Sequence, residues 1–488
     1  MHAENLKMSQ HKNRKSLIEY KGLHFVMGLL LLLGAGLIIT VSYIISSSVE
    51  FGLNRQDNIA NTTQNGAIPS DEAERLAQIE KTFEGNGDAP EASLGPIDDY
   101  PTLVTETKHP NSGKKLSQVT LGAHSSANNK NGKIVREVYF TTPKGKNYAV
   151  HERVFVKAAE QAADGATIRL SMFKWASSDL HKKLIAAFEK RNIDVKIIIG
   201  TERFSDPDEA ADGNTEAFVL TKLQNKLGEN RVLHCYGGCG DDKKTMHNKY
   251  MTISKLKNGA KNVVILSSAN VAAGQRYRFN STLVTSQDKK LYQAFRQDWT
   301  NTKNFERVFL SLGNDDGTTR AYFFPKTLDT QDTIVTNLNR VECSYGDNKH
   351  TQIRVGSSYF TRMTVAEKLA ELKSQGCSVQ VITMDAQPTN RALDILEENG
   401  VKTHVMHLPT NKESQNGAIT DTIHSKYLLI NGWFAGEKHK VVFAGSHNFN
   451  VNGLYYSDDA MQRIFDNKLY DAFQQNWKQI RDYTLNNY

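Results

Sequence analysis

Two short segments of the sequence carry the same pair of residues, a histidine followed two positions later by a lysine. His247 and Lys249 form the first pair, and His424 and Lys426 form the second, 177 positions further along the chain (424 minus 247). A histidine can act as a nucleophile, an acid or a base near neutral pH, and a lysine supplies a positive charge. One such pair arises by chance in many long chains, but a repeated pair predicts a duplicated catalytic motif.

A second pattern follows each pair at a matched distance. Asn270 comes 23 positions after the first histidine (270 minus 247), and Asn448 comes 24 positions after the second (448 minus 424). A serine, Ser268 or Ser446, stands two positions before each asparagine. The amide groups can donate hydrogen bonds to the nonbridging oxygens of a phosphodiester. The serines either donate to the same phosphate or form a tight strand end, and the sequence leaves both readings open.

Together these residues are suited to phosphoryl transfer through a covalent intermediate. One imidazole can attack phosphorus while the other protonates the leaving oxygen and then activates water. If each pair lies on a strand, its histidine and lysine point to the same face and reach one phosphate. This chemistry requires no metal and no cofactor, so we predict neither.

The duplicated motifs resemble those of the phospholipase D superfamily. In that family His-x-Lys is followed by an aspartate, and Gly/Ser-Ser-x-Asn lies downstream. The resemblance covers about residues 148–485 and implies that the two motifs meet in one site between two lobes. It also implies a phosphodiesterase that forms a phosphohistidine, commonly on the first histidine, which here is His247.

The sequence departs from the family pattern at the motif aspartate. Ser254 and Asn431 occupy the two corresponding positions, and neither side chain can carry a negative charge. This departure raises the alternative of a catalytically impaired pseudoenzyme.

Acidic support for a histidine has another candidate source in the sequence. The family often carries a carboxylate after the second Ser-x-Asn, where this chain has Asp458 and Asp459, and the matching position of the first copy is Asn280. We therefore predict that Asp458 and Asn280 support the catalytic histidines. We expect the carboxylate to lie behind His424, which would differ in basicity from His247.

Each motif is preceded by strand-like and helix-like stretches in the same order. The segments 167–173, 178–190 and 195–199 read as strand, helix and strand, and 353–355, 364–373 and 379–382 repeat the order. Aromatic helical stretches, 292–299 and 470–477, end the copies and are expected in the core. The predicted fold is α/β, with two pseudo-symmetric phospholipase D-like lobes, each a mixed β-sheet flanked by helices, and the active site in the cleft between them.

The N-terminal part predicts a membrane-anchored, exported protein. Residues 25–45 form an uncharged run of 21 residues, long enough to cross a bilayer as a helix. Basic residues precede the run and favour a cytoplasmic N-terminus, although a cleaved signal peptide is the competing reading. The predicted organisation is a basic tail (1–22), a signal-anchor helix (23–46), a flexible stalk (47–115), a first lobe (116–310) and a second lobe (311–488).

The four cysteines fit an extracytoplasmic compartment. Cys235 and Cys239 are close enough in sequence to close a small disulfide ring, and Cys343 and Cys377 could form a second bridge. Free thiols, or a zinc site that uses His234, remain alternatives.

The substrate is a phosphodiester of one of two classes. The predicted anchor favours phospholipids, hydrolysed or transferred to an alcohol, and the family includes such enzymes. The alternative is an exported nuclease, a 5′ exonuclease on single-stranded nucleic acid. The polar, moderately acidic loops 201–214 and 409–421 lack the basic and aromatic alternation of a nucleic-acid groove, which weakens that alternative.

Overall fold

A computed structural model describes residues 133–488, apart from positions 144, 146, 177, 202–214, 242–243, 315–316, 329, 347, 386–389 and 408–420. The predicted tail, anchor helix and stalk lie outside the described residues. No helix in the described part of the chain is both long and apolar enough to span a membrane.

The first half of the described chain alternates strands and helices. Short 3-10 helices at Glu229–Arg231 and Ala273–Tyr277 supplement the regular elements. The regular elements are β1 (Val135–Thr141), α1 (Val150–Gln161), β2 (Thr167–Met172), α2 (Ser178–Arg191), β3 (Asp194–Thr201), α3 (Thr215–Leu227), β4 (Val232–Tyr236), β5 (Thr245–Met246), β6 (Lys249–Lys255), β7 (Lys261–Ser267), β8 (Arg278–Ser286) and α4 (Lys289–Lys303).

The second half repeats the alternation with several small additions. Its elements are β9 (Leu310–Gly313), β10 (Thr319–Phe323), α5 (Thr333–Leu338), β11 (Val341–Glu342), β12 (Ser344–Tyr345), β13 (Lys349–His350), β14 (Gln352–Tyr359), α6 (Met363–Ser374), β15 (Ser378–Asp385), α7 (Arg391–Glu398), β16 (Lys402–His407), β17 (Thr422–Ile423), β18 (Lys426–Phe434), β19 (Glu437–Gly445), α8 (Val451–Tyr455), β20 (Ser457–Asp458), β21 (Ala460–Phe465) and α9 (Asn467–Asn487).

The main sheets of the two halves have the same strand order. The first runs β4-β3-β2-β6-β7-β8-β1, and the second runs β16-β15-β14-β18-β19-β21-β10-β9. In each sheet the first three strands are parallel and the remaining strands pair antiparallel. This repeated mixed topology confirms the predicted fold class. Each predicted strand and helix segment overlaps an observed one, whereas β1, α1 and β10 were not anticipated.

The last helix of each half packs against a strand at, or next to, the edge of the other half's sheet. Phe473 of α9 meets Phe140 of β1 with ring centroids 5.0 Å apart, and Phe295 of α4 meets Phe323 of β10 at 4.9 Å. These aromatic pairs belong to two apolar clusters that combine residues of both halves. The helices predicted as core are therefore core, and they also join the halves that must share a site.

Both predicted disulfides are present. Cys235 is bonded to Cys239, and Cys343 is bonded to Cys377. Because the first two sulfurs are bonded to each other, they are not thiolate ligands, and the zinc alternative does not fit this arrangement.

A glycine is required where the second motif comes close to its neighbouring strand. A Cβ on Gly445, the last residue of β19, would collide with the carbonyl oxygen of Ala460. This close approach brings Ser446 to the start of β21, where the residues that follow Asp458 enter the sheet.

Candidate active site

Two short strand pairs bring each histidine to the other half of the chain. Parallel pairing of β5 with β20 places His247 beside Asp458, whose carbonyl oxygen accepts the His247 backbone N–H at 3.0 Å. Parallel pairing of β17 with β8 likewise places His424 beside Phe279, with the matching hydrogen bond at 2.9 Å. The support for each histidine therefore crosses between the halves.

The ring of His247 is held by a buried carboxylate of the second half. His247 Nδ1 lies 2.8 Å from Asp459 Oδ1, and the hydroxyl of Ser446 donates to the same oxygen at 2.6 Å. Ser446 Oγ also accepts the backbone N–H of Ala460 at 3.1 Å. Because a carboxylate only accepts, we assign the proton to Nδ1, which leaves the lone pair on Nε2.

The ring of His424 has an amide in the equivalent position. His424 Nδ1 lies 3.0 Å from Asn280 Oδ1, and Ser268 Oγ donates to that oxygen, also at 3.0 Å. The Asn280 amide nitrogen donates to the carbonyl oxygens of Gln275 at 3.1 Å and Arg278 at 3.3 Å, which fixes the amide orientation. Lys426 Nζ, which only donates, also lies 3.1 Å from His424 Nδ1. A protonated His424 ring donates from Nδ1 to Asn280, whereas a neutral ring can accept at Nδ1 from Lys426. When the ring is protonated, Nε2 carries the proton that remains for chemistry.

The two lysines are buried beside their histidines. Lys249 Nζ donates to the carbonyl oxygen of His247 at 2.8 Å, and Lys426 Nζ donates to that of His424 at 2.7 Å. The prediction that histidine and lysine share a strand face is wrong, because each histidine precedes its strand and only the lysine begins it. The lysine instead folds back toward its own motif.

The surroundings make the two rings electrostatically different. Burial and the Lys249 charge lower the pKa of His247, and the Asp459 carboxylate opposes this effect. Burial, Lys426 and Arg278 lower the pKa of His424 well below its ordinary value. His247 also contributes to lowering the pKa of His424, so the two rings interact.

The predicted placement of the carboxylate is corrected in two respects. Asp459 rather than Asp458 faces a histidine, and that histidine is His247 rather than His424. Asp458 instead forms a buried ion pair with Arg307 at 2.9 Å. The reason is geometric, since strand pairing across the halves delivers the end of β20 to the first motif. Asn280 does lie behind His424, and there it is the neutral counterpart of Asp459.

The serines and asparagines of the downstream patterns separate in role. Both serine hydroxyls bind the groups behind the histidines, which differs from the alternative in which they donate to a phosphate. The Oδ1 atoms of Asn270 and Asn448 are buried and have no hydrogen-bond partner among the described residues. The phosphate-binding role of these asparagines stays a prediction.

Sequence reasoning missed an arginine that anchors the second asparagine pattern. Arg362 Nη2 donates to the Asn448 carbonyl oxygen at 3.0 Å and contacts His447 Nε2 at 2.9 Å, while Nη1 pairs with Asp332. Arg362 is also buried. No repeat signal could have identified it, because it precedes α6 without a matching arginine in the first copy.

A second missed pair lies behind each motif, and here the repeat was visible in the sequence. Tyr250 donates to Asp298 Oδ2 at 2.7 Å, and Tyr427 donates to Asn476 Oδ1 at 3.3 Å. The acceptors are 178 positions apart (476 minus 298) on the aromatic helices α4 and α9. As with Asp459 and Asn280, the partner on the His247 side is an acid and the partner on the His424 side is an amide.

The positions of the family aspartate lie far from the histidines along their strands. Ser254 is five residues beyond Lys249 on β6, about 16 Å at the usual rise of a strand. Its hydroxyl accepts the backbone N–H of Thr167 at 2.9 Å. Asn431 occupies the matching place on β18. The substitutions therefore leave the groups around both rings in place.

Asn280→Asp should raise the pKa of His424, because a carboxylate stabilises the imidazolium that an amide does not. We expect an increase of about one unit or more, measured by NMR titration of the full-length protein with ¹⁵N-labelled histidine. Asn399→Asp is the control, since Asn399 is exposed. An unchanged His424 titration in the Asn280 variant would contradict this account.

Asp298→Asn should stabilise the protein increasingly as pH rises. Burial raises the pKa of Asp298 to about 8, so the folded chain retains a proton that the unfolded chain loses above about pH 4. Stability then falls between about pH 4 and pH 8, and the amide removes this loss. Thermal unfolding across that range should show a growing Tm difference, whereas exposed Asp164→Asn should show none. A difference that does not vary with pH would refute the assignment.

Comparison with known proteins places this geometry in a family. A family model described as "Cardiolipin synthase, PLD-like domain" matches residues 156–302 and 347–481, which contain both His-x-Lys motifs and together exceed half of the chain. No curated protein matches the sequence.

Several solved structures are similar at low sequence identity. Polyphosphate kinase from Porphyromonas gingivalis is 14% identical with a TM-score of 0.46, and the match covers 81% of this chain and 55% of that one. The chain thus spans about half the length of that kinase. Phosphatidylserine synthase from Haemophilus influenzae Rd KW20 is 13% identical with a TM-score of 0.48, and the match covers 70% and 86%. The phospholipase D family member Nuc from Salmonella typhimurium is 17% identical with a TM-score of 0.23, covering 31% and 85%.

The family match spans both halves and includes the motifs that meet in the site, so the chain belongs to the phospholipase D superfamily of phosphodiesterases and phosphodiester transferases, in the family of cardiolipin synthase-type PLD-like domains.

Proposed function

We propose that the protein cleaves a phosphodiester through a phosphohistidine on His247, with phospholipids as the substrate. The main observation behind this proposal is that each histidine is hydrogen-bonded at Nδ1 by a residue of the other half. Asp459 and Asn280 each hold an Nδ1 atom and leave Nε2 available. The Asp459 carboxylate behind His247 offsets the positive charge that this ring gains as a nucleophile, and His424 has only a neutral amide in that place.

In the first step His247 Nε2 attacks phosphorus, forming a P–N bond as the P–O bond to the leaving group breaks. The ring becomes positively charged, and the Asp459 carboxylate at its Nδ1 stabilises that charge. His424, protonated on both nitrogens, transfers its Nε2 proton to the leaving oxygen. Lys249 and Lys426 neutralise the phosphate, and Asn270 and Asn448 are the proposed donors to its nonbridging oxygens.

In the second step His424 Nε2 accepts a proton from water or from an alcohol. The resulting oxygen nucleophile attacks phosphorus, and the P–N bond breaks to regenerate His247. With water the product is a phosphomonoester, and with an alcohol it is a new phosphodiester. Since the surroundings of His424 lower its pKa, the protonated acid is depleted as pH rises, and the first step should slow in that direction.

Two features support a phospholipid as substrate. The matching family is described by a phospholipid-synthesising activity, that of cardiolipin synthase. The apolar run at residues 25–45, proposed as a signal anchor with a cytoplasmic N-terminus, would keep the extracytoplasmic site near a membrane surface. The proposed boundaries of tail, anchor, stalk and lobes are those given by the sequence.

His247→Ala and His424→Ala should fail in different ways. The full-length protein in mild detergent would be assayed on phosphatidylcholine, phosphatidylglycerol and single-stranded DNA, and on bis(p-nitrophenyl) phosphate, whose leaving group needs no acid. We expect His247→Ala to lose about 10³-fold or more on every substrate turned over. His424→Ala should lose about 10²-fold or more on lipid but much less in the release of the first p-nitrophenol.

Trapping the intermediate provides the second measurement. Alkaline quenching and mass spectrometry should detect phosphohistidine on His247, accumulating in the His424→Ala variant because the second step lacks its base. His439→Ala is the matched control and should keep full activity, because His439 is a partly exposed histidine that contacts Glu437 and Phe465 rather than the site. Turnover of DNA alone would replace the phospholipid proposal with a nuclease. No turnover of any substrate, with no adduct, would favour a pseudoenzyme.

A further inference from the structure

The strand pairs that deliver the two histidines are secured by different forces. Beside His424, Phe279 of β8 packs edge-on against Tyr483, with ring centroids 5.1 Å apart. Beside His247, the equivalent residue is Asp458, which forms an ion pair with Arg307. The pair has N–O separation 2.9 Å, and its side chains are 9% and 5% exposed. The position beside His424 is thus secured by an aromatic contact, and the equivalent position beside His247 is secured by a buried ion pair.

Arg307 holds the strand that carries the His247 support at two points. One Nη2 contact is the carboxylate of Asp458, and the other is the carbonyl oxygen of Tyr456 at 3.3 Å. The Tyr456 carbonyl also accepts the backbone N–H of Thr245 at 3.0 Å, and the Asp458 carbonyl accepts that of His247. The guanidinium therefore spans the short β20 strand at the residues that pair with β5.

The ring closed by Cys235 and Cys239 lies against the other side of this arrangement. A Cβ on Gly238, within the ring, would collide with Arg307 Nη1. The neighbouring Gly237 carbonyl accepts the backbone N–H of Met246 at 2.8 Å. Met246 of β5 precedes His247. The disulfide ring therefore contacts the β5 strand of the β5–β20 pair, and Arg307 contacts the β20 strand.

We propose that Arg307 is a positioning residue for His247, acting through Asp458 and held in place by the disulfide ring. Its effect reaches the reaction by fixing the His247 backbone, and thereby the direction of Nε2, relative to Asp459. An error of about 1 Å in such a placement can reduce a rate by about 10²-fold. This proposal rests on the proposed role of His247 as nucleophile.

Arg307→Gln should slow phosphohistidine formation without weakening substrate binding. In steady-state assays of the full-length protein on bis(p-nitrophenyl) phosphate, we expect kcat to fall about 10-fold or more with KM nearly unchanged. Arg307→Lys keeps the charge and should recover part of the rate. Rates are expressed per folded molecule, so a variant that merely folds less often keeps its kcat.

A spectroscopic measurement tests the positioning without relying on turnover. The His247 Nδ1 proton, hydrogen-bonded to Asp459, should give a slowly exchanging downfield NMR signal, assigned by its loss in His247→Ala. Arg307→Gln should broaden or remove this signal. Arg169→Gln is the control, because Arg169 pairs with Asp194 at the start of β3. The other end of β3, Thr201, is hydrogen-bonded to Gly237 of the disulfide ring and lies about 23 Å away along the strand. The control should lose stability yet keep the signal.

Gly238→Ala offers a second variant that leaves all charges in place. Its Cβ would collide with Arg307 Nη1 and also with the Asp241 carbonyl oxygen, so it should displace the guanidinium and shift the local backbone, and reduce both rate and signal. Gly313→Ala is the matched control, because the nearest atoms to a Cβ there are 3.6 Å away or more.

The outcomes separate this inference from the proposed function. If the Arg307→Gln and Gly238→Ala variants keep both rate and signal while His247→Ala is inactive, the inference is wrong and the function stands. If the unsubstituted protein turns over nothing but Arg307→Gln removes the signal, the positioning stands and the function fails. If the Arg307→Gln substitution lowers Tm but changes neither the rate nor the NMR signal, Arg307 has only a structural role and the inference is wrong.

Discussion

The structure depends on a hydrogen bond between residues that are 212 positions apart, His247 and Asp459. In the proposed mechanism the ring of His247, whose side chain is 14% exposed, passes through a positively charged state, which its partial burial disfavours. A carboxylate at Nδ1 offsets that cost, but in this fold it comes from the other half of the chain. The two halves must therefore dock with the accuracy of a hydrogen bond before the site exists.

The need for such accurate docking gives a reason why the last helix of each half packs on the other half. The last helix of each half packs on a strand of the opposite half, with Phe473 on Phe140 of the edge strand β1 and Phe295 on Phe323 of β10, which lies next to the edge strand β9. Large apolar side chains bury most surface per residue and lock in few orientations. The short pairs β5–β20 and β17–β8 contribute little area but set the final register. Apolar packing thus joins the halves, and backbone hydrogen bonds align the rings.

The sequence predicted those features that repeat locally. The paired motifs, the strand–helix–strand order and the two aromatic helices all recur at matched offsets, so the fold class and the core helices could be read directly. The small disulfide ring was also predictable, because Cys235 and Cys239 are only four positions apart. Periodicity and short spacing report on contacts within one element or between neighbouring elements, and these predictions required nothing more.

The sequence could not reveal which half supports which histidine. Asp458 ends the short strand β20 and Asp459 follows it, and only the pairing of β20 with β5 decides which of the two reaches a ring. The same limit hid Arg362, whose contacts to Asn448 and Asp332 join segments far apart in sequence. Long-range register leaves no periodic trace in a single sequence.

A nucleophile and an acid must differ in protonation state, which two like groups can reach by sharing one proton or through different surroundings. Here the symmetry is broken in the groups behind the rings. Asp459 of one half occupies the position equivalent to Asn280 of the other, and Asp298 occupies the position equivalent to Asn476. In both comparisons the acid belongs to the His247 side and the amide accepts a similar hydrogen bond. Burial raises the pKa of Asp298 to about 8, so only Asp459 differs from its amide counterpart in charge near neutral pH. The duplicated backbone thus supplies matched geometry, and the Asp459 carboxylate behind one ring and the Asn280 amide behind the other give the histidines different electrostatic environments.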